Sequence, residues 1–334
     1  MKTATPSKER LVGQNSAAAS SKPRIRNILV PIDFSQASLS AIQMTLPLVK
    51  RFGAALHLIH VFEPEYPLSS MAAIPLVVPE LEIGKRVRRR LKHLADSNSV
   101  PLRRENIHAI RGRTFERICQ LARKIEIDLI VMATRGNTGL KHLALGSTTE
   151  RVVRYSPCPV LVVRGNGTKT MSGQQTATFG KILVPVDFSD CSLKGLAYSK
   201  KLAREFGAKL ILVNSTALKY YVTLDEYARY DLPLLIRQVE EASCRRMSDL
   251  VQETDWKGIR VETCLRPGHA GEEICSEAAS SKVDLIAIST HGRIGLKHVL
   301  LGSTAEYVVR HAPCPVLVIP SRERPLPDSS PNES

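Results

Sequence analysis

The sequence predicts an α/β protein made of two tandem, doubly wound domains, each with a mostly parallel sheet and helices on both faces. The main observation is an internal repeat: residues 128–163 and 284–319 align without gaps and are identical at 23 of 36 positions. The segments ILVPIDFS at 28–35 and ILVPVDFS at 182–189 repeat as well. A period near 155 residues is far too long for a solenoid repeat and fits one globular domain.

Short apolar runs alternate with amphipathic stretches along the first half of the chain. In order, we expect strands near 28–30, 56–61, 106–110, 129–132 and 160–163, and helices near 38–51, 80–96, 114–124 and from Ser147 onward. The second half repeats this order over 182–319. Strands separated by helices at this spacing pair in parallel and carry helices on both faces of the sheet.

Composition divides the chain into two domains, a linker and two tails. Residues 27–165 and 180–320 are the predicted domains, and residues 166–179, rich in Gly, Ser, Thr and Gln, are the predicted linker. Residues 1–26 are basic and rich in Ser and Ala, which predicts a disordered tail, with an organellar leader as the alternative. Residues 321–334 are predicted to be a second disordered tail.

Cysteine usage favours a reducing compartment. The chain has seven cysteines and no C-x-x-C pair, so a disulfide framework is not expected, and His and Cys show no zinc spacing. Cys158 and Cys314 recur in Pro-Cys-Pro, which predicts small buried residues. No apolar run approaches the length of a membrane span. We therefore expect a cytoplasmic protein without a transmembrane segment.

The chain is strongly basic, with a formal net charge of +15. Its densest basic run, residues 85–92, has the spacing of an amphipathic helix that turns Val87 and Leu91 inward. Aromatic content is only 5%, and no nucleic-acid-binding signature is present. We interpret the run as a solvated helix face and expect no specific nucleic acid partner. The charge would also favour acidic partners or anionic lipid surfaces without specifying either.

Candidate site residues lie at the strand ends, because ligands of open parallel sheets bind beyond the carboxyl ends of the strands. In the first half these residues are Pro31, Ile32, Asp33, Val61, Ala133, Arg135 and Gly136. In the second half they are Pro185, Val186, Asp187, Ser215, Ser289, His291 and Gly292. Asp33 and Asp187 could bond a ribose or help to hold Mg²⁺, and the alternative is a capping role at the first strand-to-helix turn.

Two glycines separated by nine residues precede a helix in each half. The second glycine of each pair opens the segments Gly146-Ser147-Thr148 and Gly302-Ser303-Thr304. The free N–H groups at a helix N-terminus favour phosphate, and glycine lets the backbone approach a ligand. Alternatively, Ser147 and Ser303 simply start helices as S-x-x-E capping boxes. Because the pattern recurs beside a strand-end Asp, we favour phosphate binding, although neither standard nucleotide loop is present.

The motifs VPIDFS and VPVDFS, the two G-x9-G-S loops, and PCPVLVV or PCPVLVI together resemble the universal stress protein family. The resemblance covers roughly 27–164 and 180–319, so the chain looks like a tandem member. It implies a five-stranded sheet of order 3-2-1-4-5 in each half. ATP-binding members carry G-x2-G-x9-G-[ST]. This chain has Ala133 and Ser289 at the first glycine, where a Cβ could crowd the phosphate path.

The resemblance also implies a role for each site residue. Adenine would lie against the backbone at Val61 or Ser215, ribose near Asp33 or Asp187, and phosphates at Gly136, Gly146 and Ser147 or at Gly292, Gly302 and Ser303. Arg135 or His291 would lie close to the phosphates. Arginine is a permanent cation, so we expect the first half to be the better anion site.

Single-domain members of the family commonly dimerise through the last strand. Residues 160–163 and 316–319 are therefore expected to pair within one chain and to form an intramolecular pseudo-dimer, with further homo-dimerisation as a possibility.

Two functions of different classes follow. The first is a stress-response protein that binds ATP or a related adenine nucleotide and acts as a regulator or sensor. Hydrolysis would be slow at most, because no activated nucleophile or positioned base is evident. The alternative is an interaction protein of the same fold that binds no nucleotide and acts through its basic surfaces. An enzyme of nucleotidyl transfer has the weakest support.

Overall fold

The secondary structure agrees with the predicted elements, whose ends shift by at most two residues in the first half. The computed structural model describes residues 25–63, 80–98, 100–134, 145–164, 179–216, 232–290 and 301–320. Its strands are β1 (Asn27–Pro31), β2 (Ala55–Phe62), β3 (Ile107–Arg111), β4 (Leu129–Ala133), β5 (Val160–Val163), β6 (Lys181–Pro185), β7 (Lys209–Thr216), β8 (Val261–Pro267), β9 (Leu285–Ser289) and β10 (Val316–Ile319). Its α-helices are α1 (Gln36–Phe52), α2 (Glu80–Ser97), α3 (Thr114–Lys124), α4 (Ser147–Tyr155), α5 (Asp190–Phe206), α6 (Leu232–Glu253), α7 (Ala270–Ser280) and α8 (Ser303–His311). In this part of the chain, no helix is both long and apolar enough to cross a membrane.

The ten strands of the described residues form one sheet, in the order β3-β2-β1-β4-β5-β10-β9-β6-β7-β8. Strands β1–β5 form the first half and β6–β10 the second. Within each half neighbouring strands are parallel and follow the order 3-2-1-4-5. The predicted doubly wound α/β fold and its strand order are therefore confirmed.

The two halves meet through their last strands. β5 and β10 are antiparallel, with Leu317 opposite Leu161, Val316 opposite Val162 and Val318 opposite Val160. The predicted pairing between residues 160–163 and 316–319 is thus present in the structure. It removes one exposed sheet edge from each half, and such edges otherwise template aggregation.

Both faces of the sheet carry a core that continues across the junction. Successive side chains of a strand point to opposite faces, so Ile28 and Val30 of β1 belong to one core cluster and Leu29 to the other. Helices α1, α2, α5 and α6 cover the first face, and α3, α4, α7 and α8 cover the second. Each cluster contains side chains from both halves.

Aromatic rings fill the junction on the first face. Phe179, at the end of the predicted linker, packs edge-on against Phe206 with ring centroids 5.0 Å apart. Phe52 of the first half also packs edge-on against Phe206, at 5.8 Å. The Arg51 guanidinium lies 4.9 Å from the Phe206 centroid and 3.7 Å from the Glu205 carboxylate. A single apolar contact region therefore joins the C-terminal ends of α1 and α5.

Charged side chains join α4 to α8 on the second face. Arg310 lies 3.6 Å from Glu150 of the first half and 2.7 Å from Glu306 of its own helix. Glu150 also pairs with Arg154 at 2.9 Å. These side chains are about a third exposed or less, and partly exposed pairs of this kind typically contribute only about 0–1 kcal/mol. The apolar clusters rather than the ion pairs hold the halves together.

Serine and glycine set the ends of α1 and α5. The Ser35 and Ser189 side chains accept hydrogen bonds from the backbone N–H groups of Ser38 and Ser192. Gly53 and Gly207 end these helices in the left-handed region, at φ 62° and 66°. A side chain there would be strained by its backbone conformation rather than by neighbours.

All seven cysteines are free in the structure. Cys158 and Cys314 are buried ahead of β5 and β10, as Pro-Cys-Pro predicted. Burial raises the pKa of both thiols to about 12. A thiol of that pKa is a packing residue and not a nucleophile.

Because both cores contain side chains from both halves, we expect the chain to unfold in one cooperative transition. The Leu161→Ala substitution leaves a cavity at the junction and should lower the free energy of unfolding by about 2–5 kcal/mol. The single tryptophan, Trp256, lies in the second half, and its fluorescence in a urea titration reports on that half. The midpoint of this transition should fall in Leu161→Ala and stay unchanged in Leu81→Ala, whose side chain is exposed. An unchanged midpoint in Leu161→Ala would mean that the halves unfold independently.

Candidate functional site

A cavity of about 300 Å³ opens at the carboxyl ends of β1, β2 and β4 in the first half. Its volume is at the lower end of ligand pockets, which span roughly 300–1,000 Å³. The predicted site residues that line it are Pro31, Ile32, Asp33, Val61, Ala133, Gly146, Ser147 and Thr148. The cavity lies at the carboxyl ends of the neighbouring strands β1 and β4, where the winding of the sheet reverses.

The remaining predicted residues divide into two groups. Arg135, Gly136, His291 and Gly292 lie outside the described residues. The matching strand ends and helix start of the second half hold Pro185, Val186, Asp187, Ser215, Ser289, Gly302, Ser303 and Thr304.

Asp33 holds the loop that follows β1. Its Oδ1 atom accepts hydrogen bonds from the Ser35 amide at 3.0 Å and the Ser35 hydroxyl at 2.6 Å. Asp187 binds Ser189 with the same two distances. Each aspartate thus orients the serine that caps the following helix, whereas the capping alternative gave the capping role to the aspartate itself. The same contacts fix the carboxylate at the cavity wall.

A strained phenylalanine follows this aspartate in both halves. Phe34 and Phe188 have φ of 63° and 65°, a conformation that bulky side chains rarely adopt and that costs about 1–3 kcal/mol. The Arg90 guanidinium of α2 lies 3.9 Å from the Phe34 ring centroid, and Arg246 lies 4.3 Å from that of Phe188. The Phe34 ring in turn lies 4.8 Å from the His60 ring, which lines the cavity. Helix α2 therefore touches the loop of the site.

His60 and Asn214 hold the same loop from β2 and β7. The His60 Nδ1 atom lies 2.6 Å from the Ile32 carbonyl oxygen, and the Asn214 amide donates to the Val186 carbonyl at 2.7 Å. Because a carbonyl only accepts, the proton on His60 is assigned to Nδ1. In the neutral ring this leaves Nε2 as an acceptor.

Helix α4 begins at the cavity without a side-chain cap. Gly146 is its N-cap residue and Ser147 is the first helical residue. The capping-box alternative is therefore wrong, because it needs Ser147 at the N-cap. In the second half, likewise, Gly302 is the N-cap residue and Ser303 is the first helical residue. Glycine has no side chain to accept the first-turn N–H groups. The Gly146 amide instead donates to the Thr134 carbonyl at 2.8 Å, which joins the helix to the end of β4.

Ala133 stands where the family pattern has its first glycine. It is the last residue of β4, and its carbonyl accepts a hydrogen bond from the Thr149 hydroxyl at 2.9 Å. Ala133 lines the cavity. The second half has Ser289 in place of Ala133 and Ala305 in place of Thr149. Because alanine has no hydroxyl, the hydrogen bond from the helix to the strand through a threonine side chain is specific to the first half.

The second half carries a buried charge beside its site. The Glu277 side chain is 7% exposed and accepts hydrogen bonds from Arg266 at 2.9 Å, from Ser281, and from the Cys264 thiol at 3.5 Å. Burial acts to raise the pKa of Glu277, but the bonds from Ser281 and Arg266 outweigh it and hold that pKa below its ordinary value.

The matching part of the first half is more apolar. In the strand register, Ile110 occupies the position of Arg266. On the following helix, Leu121 aligns in sequence with Glu277. Ser215 lies beside Arg266, and its hydroxyl donates to the Gly268 carbonyl at 2.7 Å. The matching pair of the first half is Val61 beside Ile110, of which Val61 lines the cavity. The two sites therefore share a backbone and differ in their chemistry.

Several residues that line the cavity were not predicted from the sequence. They are Ser38, Ile59, His60, Thr114, Ile118, Met132 and Thr149. Two had a usable signal: His60 precedes Val61 at the end of β2, and Thr114 opens α3 after β3. The strand-end rule that found Val61 applies to both.

Comparisons with known proteins show the family to which this fold belongs. The model of the universal stress protein family matches residues 24–164 and 178–320. The chain belongs to the universal stress protein family. The universal stress protein MJ0531 of Methanocaldococcus jannaschii is 32% identical over 142 residues, which are 42% of this chain and 82% of that protein.

Other universal stress proteins match across both halves. Rv2005c of Mycobacterium tuberculosis is 27% identical over 194 residues, which are 58% of this chain and 62% of that protein. A universal stress protein structure from Archaeoglobus fulgidus covers 90% of this chain and 98% of its own, with a TM-score of 0.62 and 20% identity. At that identity the structural similarity supports the fold.

The His60 hydrogen bond gives a test with a control that the chain itself supplies. His60→Leu leaves the Ile32 carbonyl without its donor and should lower the free energy of unfolding by about 1–3 kcal/mol. His60→Asn copies the donor found at Asn214 and should cost less than about 0.5 kcal/mol. Urea denaturation followed by circular dichroism measures both. Equal losses in the two variants would contradict the assigned hydrogen bond.

The Glu277 network predicts a pH dependence of stability. Glu277→Gln should lower the free energy of unfolding at neutral pH by about 1–3 kcal/mol, because Arg266 loses its counter-ion. The folded-state pKa of Glu277 lies below its ordinary value of 4.5, so its stabilisation is present above that pH and is lost as the pH falls through the folded-state pKa. The difference between wild type and variant should therefore shrink in acid.

Urea titrations of both proteins at a series of pH values measure that difference. Glu241→Gln removes an exposed carboxylate of the same half and should change stability by less than about 0.5 kcal/mol throughout. A wild-type-to-Glu277→Gln difference that stays constant down to strongly acidic pH would contradict the assigned network.

Proposed function

We propose that this universal stress protein is a regulator or sensor that binds ATP, or a related adenine nucleotide, in the cavity of the first half. The observation that carries the proposal is that one cavity joins Asp33, Val61 and the start of α4. The family resemblance implies ribose, adenine and phosphate at these three positions. The protein would act in the cytoplasm, where free cysteines such as these stay reduced.

The start of α4 supplies the phosphate contacts. Its first-turn N–H groups and the positive end of its dipole favour anions, and the Ser147 and Thr148 hydroxyls line the same wall. Asp33 is the one carboxylate among the described residues that line the cavity. Mg²⁺ commonly binds through substrate phosphates and one or two carboxylates, so Asp33 fits a metal carried in with the nucleotide.

One nucleotide would bind per chain. At the position proposed for adenine in the first half, Val61 lines the cavity with Ile110 beside it on β3, an apolar pair that suits a flat heterocycle. In the second half Ser215 is bonded to Gly268, and Arg266 to the buried Glu277. An adenine ring there would lie beside a charged pair that is already satisfied internally.

The bound nucleotide would act by ordering structure rather than through fast turnover. Among the described cavity residues, His60 is the imidazole that could serve as a base, and its Nδ1 holds the Ile32 carbonyl. Phosphates at the start of α4 would fix that helix, whose Glu150 contacts Arg310 of the second half. The junction is therefore where occupancy of the site would be transmitted.

A second candidate function rests on Ala133. Its Cβ occupies the wall at the position where ATP-binding relatives have a glycine, and Ser289 adds a larger group in the second half. A nucleotide-free interaction protein of the same fold would have no need of that glycine.

The first test measures the small molecules that the protein releases on denaturation. Titration calorimetry with Mg-ATP then measures nucleotide binding directly. Wild type should carry or bind about one ATP per chain. Ser147→Glu places an anion where phosphate would lie, yet an acid in the first turn suits the helix dipole, so folding should be preserved. We expect at least about tenfold weaker binding in Ser147→Glu, a loss of about 1.4 kcal/mol or more. The matched variant Ser303→Glu should change the affinity by less than about twofold.

The same measurements decide against the proposal in two ways. Wild type that neither carries nor binds nucleotide would put the interaction protein first. Loss of nucleotide binding in Ser303→Glu but not in Ser147→Glu would place the site in the second half.

Ala133→Gly, which restores the family glycine, should bind the nucleotide at least as tightly as wild type. Weaker binding in Ala133→Gly would show that the alanine is part of a different recognition surface.

A further inference from the structure

The two outer edges of the ten-stranded sheet have opposite charge. Residues 80–117, which run from α2 through β3 into α3, carry eleven Lys and Arg against five Asp and Glu. The matching residues 236–273 of the second half carry six against eight. The same backbone elements thus form a basic edge in the first half and a weakly acidic edge in the second. We call the surface of α2 and the turn before β3 the basic edge.

On α2, the cations that the second half lacks stand at exposed positions. Arg90 and Arg246 occupy matching positions and both stack on the phenylalanine of the first loop. In contrast, the second half replaces Lys85, Arg86, Arg88 and Lys92 by uncharged or acidic residues. These replacements are Glu241, Ala242, Cys244 and Ser248. Arg90 and Arg246 therefore keep a packed cation in both halves, and Arg89 and Arg245 keep an exposed one, while α2 adds four further exposed cations in the first half.

Much of the charge of the basic edge is not neutralised by other described residues. Lys85 pairs with Glu82 at 2.8 Å. For Arg86, Arg89, Lys92 and Arg104, the described residues place no carboxylate within 4.0 Å. All four side chains are exposed. An exposed row of like charges without counter-ions weakens the folded state through repulsion, which a bound polyanion would relieve.

We propose that the basic edge binds the phosphate backbone of a nucleic acid strand without regard to sequence. Six of the eight cations of the basic edge are arginine, whose planar guanidinium bonds phosphate oxygens in pairs. Residues 85–92 span roughly 10 Å of helix. That length matches about three phosphates at about 3.4 Å of axial rise each.

An anionic membrane fits the same edge less well. Leu91 and Ala95 of α2 are buried in the core, and Val87 packs against it. An interfacial membrane helix instead turns such residues outward to enter the lipid. Leu81, at the start of α2, is the apolar residue of this helix that is largely exposed. The edge therefore offers mainly charge, which suits a phosphate chain in water.

The test is fluorescence anisotropy of a labelled, mixed-sequence single strand of about 30 nucleotides, titrated with the full chain from about 50 to about 200 mM KCl. Wild type should bind more weakly as salt rises, with similar affinity for strands of different sequence. Arg86→Gln/Arg89→Gln/Lys92→Gln should weaken binding at least about tenfold and reduce the salt slope by about 2, since each lost contact to a single strand removes about 0.7.

The matched control is Arg237→Gln/Arg245→Gln/Arg260→Gln, which removes three exposed cations from the acidic edge. It should change the affinity by less than about twofold. Circular dichroism melting checks that both variants fold. The experiment contains no ATP, so its outcome does not depend on the proposed nucleotide site.

Three results would overturn the proposal. Wild type could fail to bind the strand at the lowest salt. Both triple variants could lose affinity equally, which would assign the binding to net charge alone. The first triple variant could lose binding to phosphatidylserine vesicles while keeping its affinity for the oligonucleotide, which would assign the edge to a lipid surface.

Discussion

The antiparallel pairing of β5 with β10 is the contact on which the rest of the architecture depends. Each half, taken alone, would end in an exposed strand beside two apolar faces. Pairing Leu317 with Leu161 closes that edge and lets the cores on both faces continue from one half into the other. The sites then lie at fixed positions on either side of the junction, and α4 of the first half contacts α8 of the second through Glu150 and Arg310. Under the proposed function, a ligand at the start of α4 would act on a helix that contacts this shared interface.

Within this shared frame the two halves have kept the same backbone and changed their surfaces. The loop after β1 is nearly identical, down to the bonds that Asp33 and Asp187 make and the positive φ of Phe34 and Phe188. The walls around that loop differ, because Ile110 is replaced by Arg266. Both copies of a duplicated domain can keep the residues that determine the fold while one copy acquires residues that bind a ligand. Both halves have retained the strained loop, although the positive φ of its phenylalanine costs free energy in each half.

The sequence was sufficient for the fold because its signals were local and repeated. Strands and helices followed from apolar periodicity, and the last-strand pairing followed from the family resemblance. The site was found only in part. Ser147 was open to interpretation as an N-cap because Gly146 leaves no side-chain signal, and the bond from Gly146 to Thr134 crosses a loop. His60 could have been included by the strand-end rule that found Val61, but its bond to a carbonyl 28 residues away is visible only in the folded chain. The Glu277 network joins residues 11 and 13 positions apart with no periodic pattern, so only the folded chain shows it.

The two halves share one frame, and we propose that the first half binds the nucleotide. Hydrogen–deuterium exchange of the intact chain with and without Mg-ATP distinguishes the halves, because backbone amides report each site separately. We expect slower exchange at the loop after β1 and in the first turn of α4, with little change at the matching loop after β6 and at α8. Equal protection in both halves, or none in either, would contradict it.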